Sequence, residues 1–199
     1  MNNAQVSDRP LHFYDAYILD LDGTVYLGDA LLPGAQQVVT ELVSRGIPRL
    51  YLSNNPTRDR EMYVRKLNDL GIPAQPEEVI TTVFTTTQWL LQNAPDATVF
   101  AIAEEPLIRA LSTAGIRMSE DPREIDIVIA SYDRDVHWKK LQIAFEAIWY
   151  YKRAYLIATN PDLFCPFPGG RGEVDAGAII AAIEATTGTK LRVNCGKPS

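Results

Sequence analysis

The sequence predicts an α/β protein built on parallel sheet, and three observations carry that reading. Short apolar runs alternate in order with amphipathic stretches, the strand–helix–strand–helix succession that sets parallel strands beside crossover helices. Ile125 to Ala130 is apolar almost without alternation, as strands buried on both faces are. The 199 residues are 46 % hydrophobic and 22 % charged, an ordinary balance that supplies a core. That composition excludes a disordered chain, a collagen and a coiled coil.

Ala16-Tyr17-Ile18-Leu19 reads as the first strand. Pro33-Gly34 then opens a helix in which Val38, Val39, Leu42 and Val43 recur at helical spacing. Arg49-Leu50-Tyr51-Leu52 is the next strand. Tyr63, Leu67 and Leu70 mark a second helix, stopped by Gly71 and Pro73. A second α/β unit is expected to begin near Thr82. In it Thr98 to Ala103 is a strand, Pro106 to Ala114 a helix ended by Gly115, and Ile125 to Ala130 a buried strand. Trp138, Leu141, Phe145, Ile148 and Trp149 make one helical stripe, read as core packing. Tyr155 to Ala158 is a further strand, and Ala178 to Ala185 a helix closed by Gly188.

Lys plus Arg is 19 and Asp plus Glu is 25, so the formal charge is 19 − 25 = −6. That acidic balance argues against a general nucleic-acid binder. No apolar run approaches the roughly 18–20 residues of a membrane span. Met1 to Pro10 is polar and lacks a basic-then-apolar leader pattern, so a cytoplasmic protein is expected. Cys165 and Cys195 are far apart and read as reduced thiols, with a disulfide as the alternative. His12 and His137 are isolated, which argues against a structural zinc site.

Chemistry concentrates in three strings. Asp20-Leu21-Asp22-Gly23-Thr24 sits where an apolar strand ends. Strand side chains alternate, so Asp20 and Asp22 share a face while Leu21 turns away. Two like charges together call for a cation or special hydrogen bonding. A hard divalent ion such as Mg²⁺ takes oxygen ligands. The bland alternative is a pair of turn-forming carboxylates. A calcium loop is excluded, because its first ligand position would fall on Ile18. A Gly-x-x-x-x-Gly-Lys loop is excluded too, because Leu191 stands where its first glycine belongs. Ser53-Asn54-Asn55-Pro56-Thr57 again follows an apolar strand. Its hydroxyl, amide and turn N–H groups suit phosphate oxygens, and equally suit a polar turn that caps the following helix. Val193-Asn194-Cys195-Gly196-Lys197-Pro198-Ser199 sets a lysine beside a glycine, either a solvated surface residue or an ammonium for phosphate.

Together these strings resemble the haloacid dehalogenase-like phosphatases, and most closely their NagD-like, p-nitrophenylphosphatase-type subfamily. That group has Asp-x-Asp-Gly-Thr, then a Ser/Thr-Asn-Asn string, then Gly-Lys-Pro-Ser, with a large α/β cap between the second and third. Ala158-Thr159-Asn160-Pro161-Asp162 and Val174-Asp175-Ala176-Gly177 look like recurrent strings of that cap. The resemblance runs from Tyr14 to Ser199. It implies a Rossmann-like core over 1–82 plus 188–199 and an inserted cap over 83–187. The family's fourth motif, Gly-Asp with a second acid, lies downstream of its lysine, and this chain stops at Ser199. A core sheet ending there is expected to expose an edge and an apolar face.

The resemblance also implies chemistry. Asp20 would be the nucleophile that forms an aspartyl-phosphate, and Asp22 the acid and base. Asp20 and Asp22 would hold Mg²⁺. Thr24, Ser53, Asn54 and Lys197 would bind or orient phosphate. Asn160, Asp162 and Asp175 are the cap's substrate candidates, though each also suits a turn, and Arg58 and Arg171 could reach an anionic substrate or simply be solvated. The implied substrate is a small phosphomonoester: a sugar phosphate, nucleotide, phosphoglycolate, glycerol phosphate or aryl phosphate. Two other readings stand beside it. One is a catalytically incomplete phosphate- or metal-binding fragment, the other a phosphotransferase. Caps in this subfamily often take part in dimers, which makes a homo-oligomer an option.

Overall fold

The computed structural model describes residues 12–198; the polar opening Met1 to Pro10 lies outside them, as does Ser199. Strand β1 (Tyr17–Asp20) leads into a small antiparallel hairpin of β2 (Tyr26–Leu27) and β3 (Ala30–Leu31). Helix α1 (Ala35–Ser44) crosses to β4 (Arg49–Ser53), and α2 (Arg60–Asp69) leads on to β5 (Val79–Thr81). The three longer strands form a parallel sheet in the order β1-β4-β5. Its core gathers Leu21, Tyr26, Val39, Tyr51, Tyr63, Leu67 and Val79. Burial of each large apolar side chain contributes about 1.5–3 kcal/mol.

Helix α3 (Thr82–Asn93) opens the second unit, followed by β6 (Thr98–Ile102), α4 (Glu105–Thr113), β7 (Arg117–Met118) and β8 (Ile127–Ala130). Helix α5 (Trp138–Phe145) runs into a wider π turn, Glu146–Tyr150, before β9 (Tyr155–Ala158). A hairpin of β10 (Phe164–Phe167) and β11 (Arg171–Val174) precedes α6 (Ala176–Thr187) and β12 (Val193–Asn194). Five strands form a parallel sheet in the order β12-β9-β8-β6-β7. Its faces follow the two-residue period of a strand. Phe100, Ile102, Val128, Ala130, Leu156 and Ala158 meet α5 and α6 on one side. Val99, Ala101, Ile127, Ile129 and Ile157 meet α3 and α4 on the other. The sheet is covered on both faces, which accounts for its unbroken apolar runs.

Three expectations change. The helical stripe over 138–149 is core only in part: Ile148 is buried and Leu141 packs against the core, but the two tryptophans are not. Trp138 is 73 % and Trp149 52 % exposed, whereas Ile143, Ala144, Ala147 and Ile148 are buried. The small Ala144 and Ala147 are fully buried beside Ile143 and Ile148, and Phe145 stacks on Trp149 at 5.2 Å. The segment 188–199 also divides. Strand β12 pairs with β9 in the five-stranded sheet, while Lys197 reaches back to β1. Finally, Val38 and Val43 of α1 are exposed; only Val39 and Leu42 of that helix are buried. β1 has β4 as its one neighbour in the sheet among the described residues, and Ile18 is 69 % exposed. Among the described residues no helix is long and apolar enough to cross a membrane.

Candidate active site

The site is built where strands end. β1 terminates in Asp20, and Gly23, at φ +87°, lets the chain turn back on itself. The turn is tied by Val25 N–H to the Leu21 carbonyl (3.0 Å) and Gly23 N–H to the Tyr26 carbonyl (2.7 Å). Both oxygens of Asp20 are engaged. The Thr24 hydroxyl donates to Oδ2 at 3.0 Å, and the Lys197 ammonium pairs with Oδ1. Lys197 also donates to the Leu52 carbonyl at 3.4 Å. The Asp20 side chain stays 42 % exposed, open to an incoming group.

Asp22 differs. Its Oδ2 is buried without a hydrogen-bond partner. Burial pushes its carboxyl above the ordinary range. Lys66 and Arg58 oppose that rise, and the negative charge of Asp20 adds to it. Beneath it, the buried Tyr26 phenol is likewise unpartnered and carries the Lys66 ammonium 3.9 Å above its ring.

The loop after β4 supplies scaffolding. Ser53 is 2 % exposed, its hydroxyl paired with the Tyr63 phenol at 2.8 Å and accepting the Asn55 N–H at 3.2 Å. Asn54 spends its whole amide on the junction between the units. Nδ2 donates to Asp162 (2.9 Å) and to the Lys197 carbonyl (2.8 Å), and Oδ1 accepts the Lys197 N–H at 2.8 Å. Asn54 thus clamps the lysine's backbone. Gly196 makes the clamp possible. A Cβ there would lie 2.5 Å from the Thr159 carbonyl oxygen and 2.8 Å from Asn54 Oδ1.

The three substrate candidates of the second unit are likewise bonded within the protein. Asn160 is fully buried and donates to Asp162 (3.3 Å) and to Asp175 (3.1 Å). Asp175 is 3 % exposed and caps α6, accepting the Ala176 N–H at 2.5 Å. These groups satisfy one another, and none lines the open cleft beside Asp22. Buried polar groups at the ends of strands must find partners, and here they find them internally.

That cleft, of about 480 Å³, lies between the two units. The core side contributes Asp22, Thr57, Arg58 and Lys66, and the second unit Tyr132, Arg134, Cys165 and Phe167. Pro168 of the β10–β11 hairpin bears on Gly28 of the β2–β3 hairpin, where a Cβ would meet it at 3.0 Å. Sequence reasoning found Arg58 here and missed Lys66, Tyr132, Arg134 and Cys165. The Tyr132 hydroxyl is held by Glu173 and Arg134 is matched bidentately by Glu104 at 2.6 and 2.7 Å. Arg171 is exposed and outside this cleft. Burial pushes the Cys165 thiol up to about 11. Cys165 and Cys195 are both free. The Asp20 carboxylate and the backbone carbonyl of Asp22 offer hard oxygen donors suited to Mg²⁺, and the unpartnered Asp22 side-chain oxygen is left for a proton. No cluster of three or more ligating side chains occurs among the described residues.

The family model for haloacid dehalogenase-like hydrolases matches residues 17–117. An acid sugar phosphatase of Staphylococcus aureus is 36 % identical over 186 residues, spanning 93 % of this chain and 70 % of that relative. A 4-nitrophenylphosphatase from Thermotoga maritima superposes with a TM-score of 0.83 at 32 % identity, over 92 % of this chain and 69 % of that one. A glycerol phosphate phosphatase from Mycobacterium tuberculosis, solved with calcium, gives 0.77 at 30 % identity, over 90 % and 52 %. With the Asp20 turn, the Ser53 loop and Lys197 gathered at one strand edge and these relatives matching along nearly its whole length, the chain belongs to the haloacid dehalogenase-like hydrolases, in their NagD-like, p-nitrophenylphosphatase-type branch.

Proposed function

We propose that the protein hydrolyses small phosphomonoesters, of the sugar, glycerol or aryl phosphate kind, through a covalent phosphate on Asp20. The observation that carries this reading is the asymmetry of the two carboxylates. Asp20 is half-exposed and held by Lys197 and Thr24, while Asp22 is buried with one oxygen unpartnered. An Asp20 oxygen attacks phosphorus, and the bond to the leaving oxygen breaks in line. Asp22, whose burial favours the protonated form, donates its proton to that oxygen. In the second half Asp22 takes a proton from water, which attacks the phosphoaspartate and releases inorganic phosphate. Lys197 shifts its charge from Asp20 to the arriving phosphate oxygens. Ser53 and Asn54 hold the loop and the lysine in place.

Asp20, with the backbone carbonyl of Asp22, would hold Mg²⁺. Bound there, it would offset the repulsion between carboxylate and phosphate and stabilise charge on the transferring group. The five-stranded unit acts as the cap, and the cleft beneath it excludes water from the reaction. The test is hydrolysis of p-nitrophenyl phosphate with Mg²⁺ and with EDTA, beside Asp20→Asn. Turnover is expected to need the metal and to fall about 10³-fold or more in the variant. Turnover that survives Asp20→Asn removes the covalent step.

A further inference from the structure

We infer that Arg58 and Lys66 form a second anion site in the cleft, and that the substrate is a phosphomonoester bearing a second anionic group at its far end. The inference rests on the phosphatase reading for the first of those two groups. Its own basis is the charge inventory of the cleft. Of the three cations lining it, Arg134 is fully matched by Glu104. Arg58 makes no ion pair or side-chain hydrogen bond among the described residues. Lys66 reaches only Asp29, at 3.8 Å, and that carboxylate is 98 % exposed and well solvated. The Lys66 side chain itself is 14 % exposed, packed on the Tyr26 ring.

Two cations held side by side repel one another. Burial, with Arg58 next, draws Lys66 below the ordinary lysine range. Such a pair is stabilised by an anion that bridges it. Asp22 faces the pair but is committed to the reacting phosphate. The two cations also stand at a junction. They line both the cleft and an adjoining groove of about 420 Å³ along α2, which adds Arg65 and Asp69, with Asp29 common to both. A substrate whose phosphate sits at Asp20 therefore passes Arg58 and Lys66, whose neighbouring carboxylate Asp29 is turned to solvent, on its way out. A carboxylate or a second phosphate supplies the shared chemistry, since both accept charge-assisted hydrogen bonds from arginine and lysine.

Calorimetric titration at low ionic strength tests this with non-hydrolysable probes: propylphosphonate, 4-phosphonobutyrate and propane-1,3-diphosphonate. The wild-type chain is expected to bind at least one of the two-headed probes about tenfold or more tighter than propylphosphonate. Arg58→Gln and Lys66→Met, the latter keeping an apolar stem over Tyr26, are each expected to cut that advantage to within about threefold while propylphosphonate binding holds. Unchanged thermal melts show that both variants fold. Which two-headed probe gains more distinguishes carboxylate from phosphate. Equal binding of all three probes by the wild type overturns the inference, and so does an advantage that survives both substitutions. Lys197→Ala separates the two readings. If it leaves propylphosphonate binding untouched while Arg58→Gln still removes the advantage, the phosphate site assigned to Asp20 and Lys197 falls and the second anion site stands.

Discussion

Two acidic clusters stand at strand ends in this protein, and they differ in what their oxygens lack. Asn160, Asp162 and Asp175, after β9 and before α6, are bonded to one another, to Asn54 and to a helix terminus. Asp20 and Asp22, after β1, leave a side chain half-exposed and a buried oxygen without a partner. In sequence the two look alike, short acidic strings after apolar runs. The proposed function falls where satisfaction is incomplete, because an unmet acceptor is what a metal, a proton or a substrate can fill. The satisfied cluster fastens the two units together through Asn54, and it holds the Lys197 backbone by the same amide.

The contrast breaks most visibly at Asp22. Asp22→Asn is expected to lower p-nitrophenyl phosphate turnover by about 10²–10⁴-fold, while the urea midpoint holds or rises, because a buried and poorly compensated carboxylate is replaced by a neutral isostere. A midpoint that falls along with turnover places Asp22 in the fold instead of the chemistry. Next in size is thiol reactivity. Cys165 lines the same desolvated cleft, and both thiols are pushed from an ordinary 9.0 up to about 11. Iodoacetamide labelling of the native chain at pH 8 is therefore expected to run about a hundredfold slower than in urea. The sign for stability follows: the unfolded thiols ionise first, so stability falls as the pH rises from about 9 toward 11.

Asn160→Ala sharpens the other half of the comparison. It strips partners from Asp162 and Asp175 and is expected to cost about 2 kcal/mol, read from the urea midpoint. Should it leave stability intact and raise KM instead, Asn160 returns to the substrate list. Smallest is Trp138→Ala, expected to stay within about 0.5 kcal/mol, against about 2–5 kcal/mol for Ile148→Ala at the buried face of the same segment. Parallel denaturation curves for the two decide which face of that segment is core.

Much was legible because local rules and the fold agree. The apolar runs became the strands of two parallel sheets, Gly71 and Gly188 ended their helices, and Asp20, Thr24 and Lys197 meet although 177 positions separate the first from the last. What misled was whatever depended on orientation. The stripe over 138–149 has helical spacing, yet only its Leu141 and Ile148 pack on the core, beside Ile143, Ala144 and Ala147, while Trp138 and Trp149 stay exposed. Asn160, Asp162 and Asp175 have the composition of a binding loop, yet they face one another. Asn54 has the chemistry of a phosphate ligand, yet its amide is used by Lys197 and Asp162.

By itself, then, the sequence determined the order of strands and helices, the strand-end carboxylates and the family they resemble. All of these rest on hydrophobic period, turn chemistry and spacing, which are local. Only the tertiary structure decided which polar groups are satisfied. It set β12 in the second sheet, closed the cleft with two hairpin tips, matched Arg134 to Glu104 and left Arg58 and Lys66 without a comparable partner. A side chain's hydrogen bonds depend on groups brought near from distant parts of the chain, and no period in the sequence encodes that proximity.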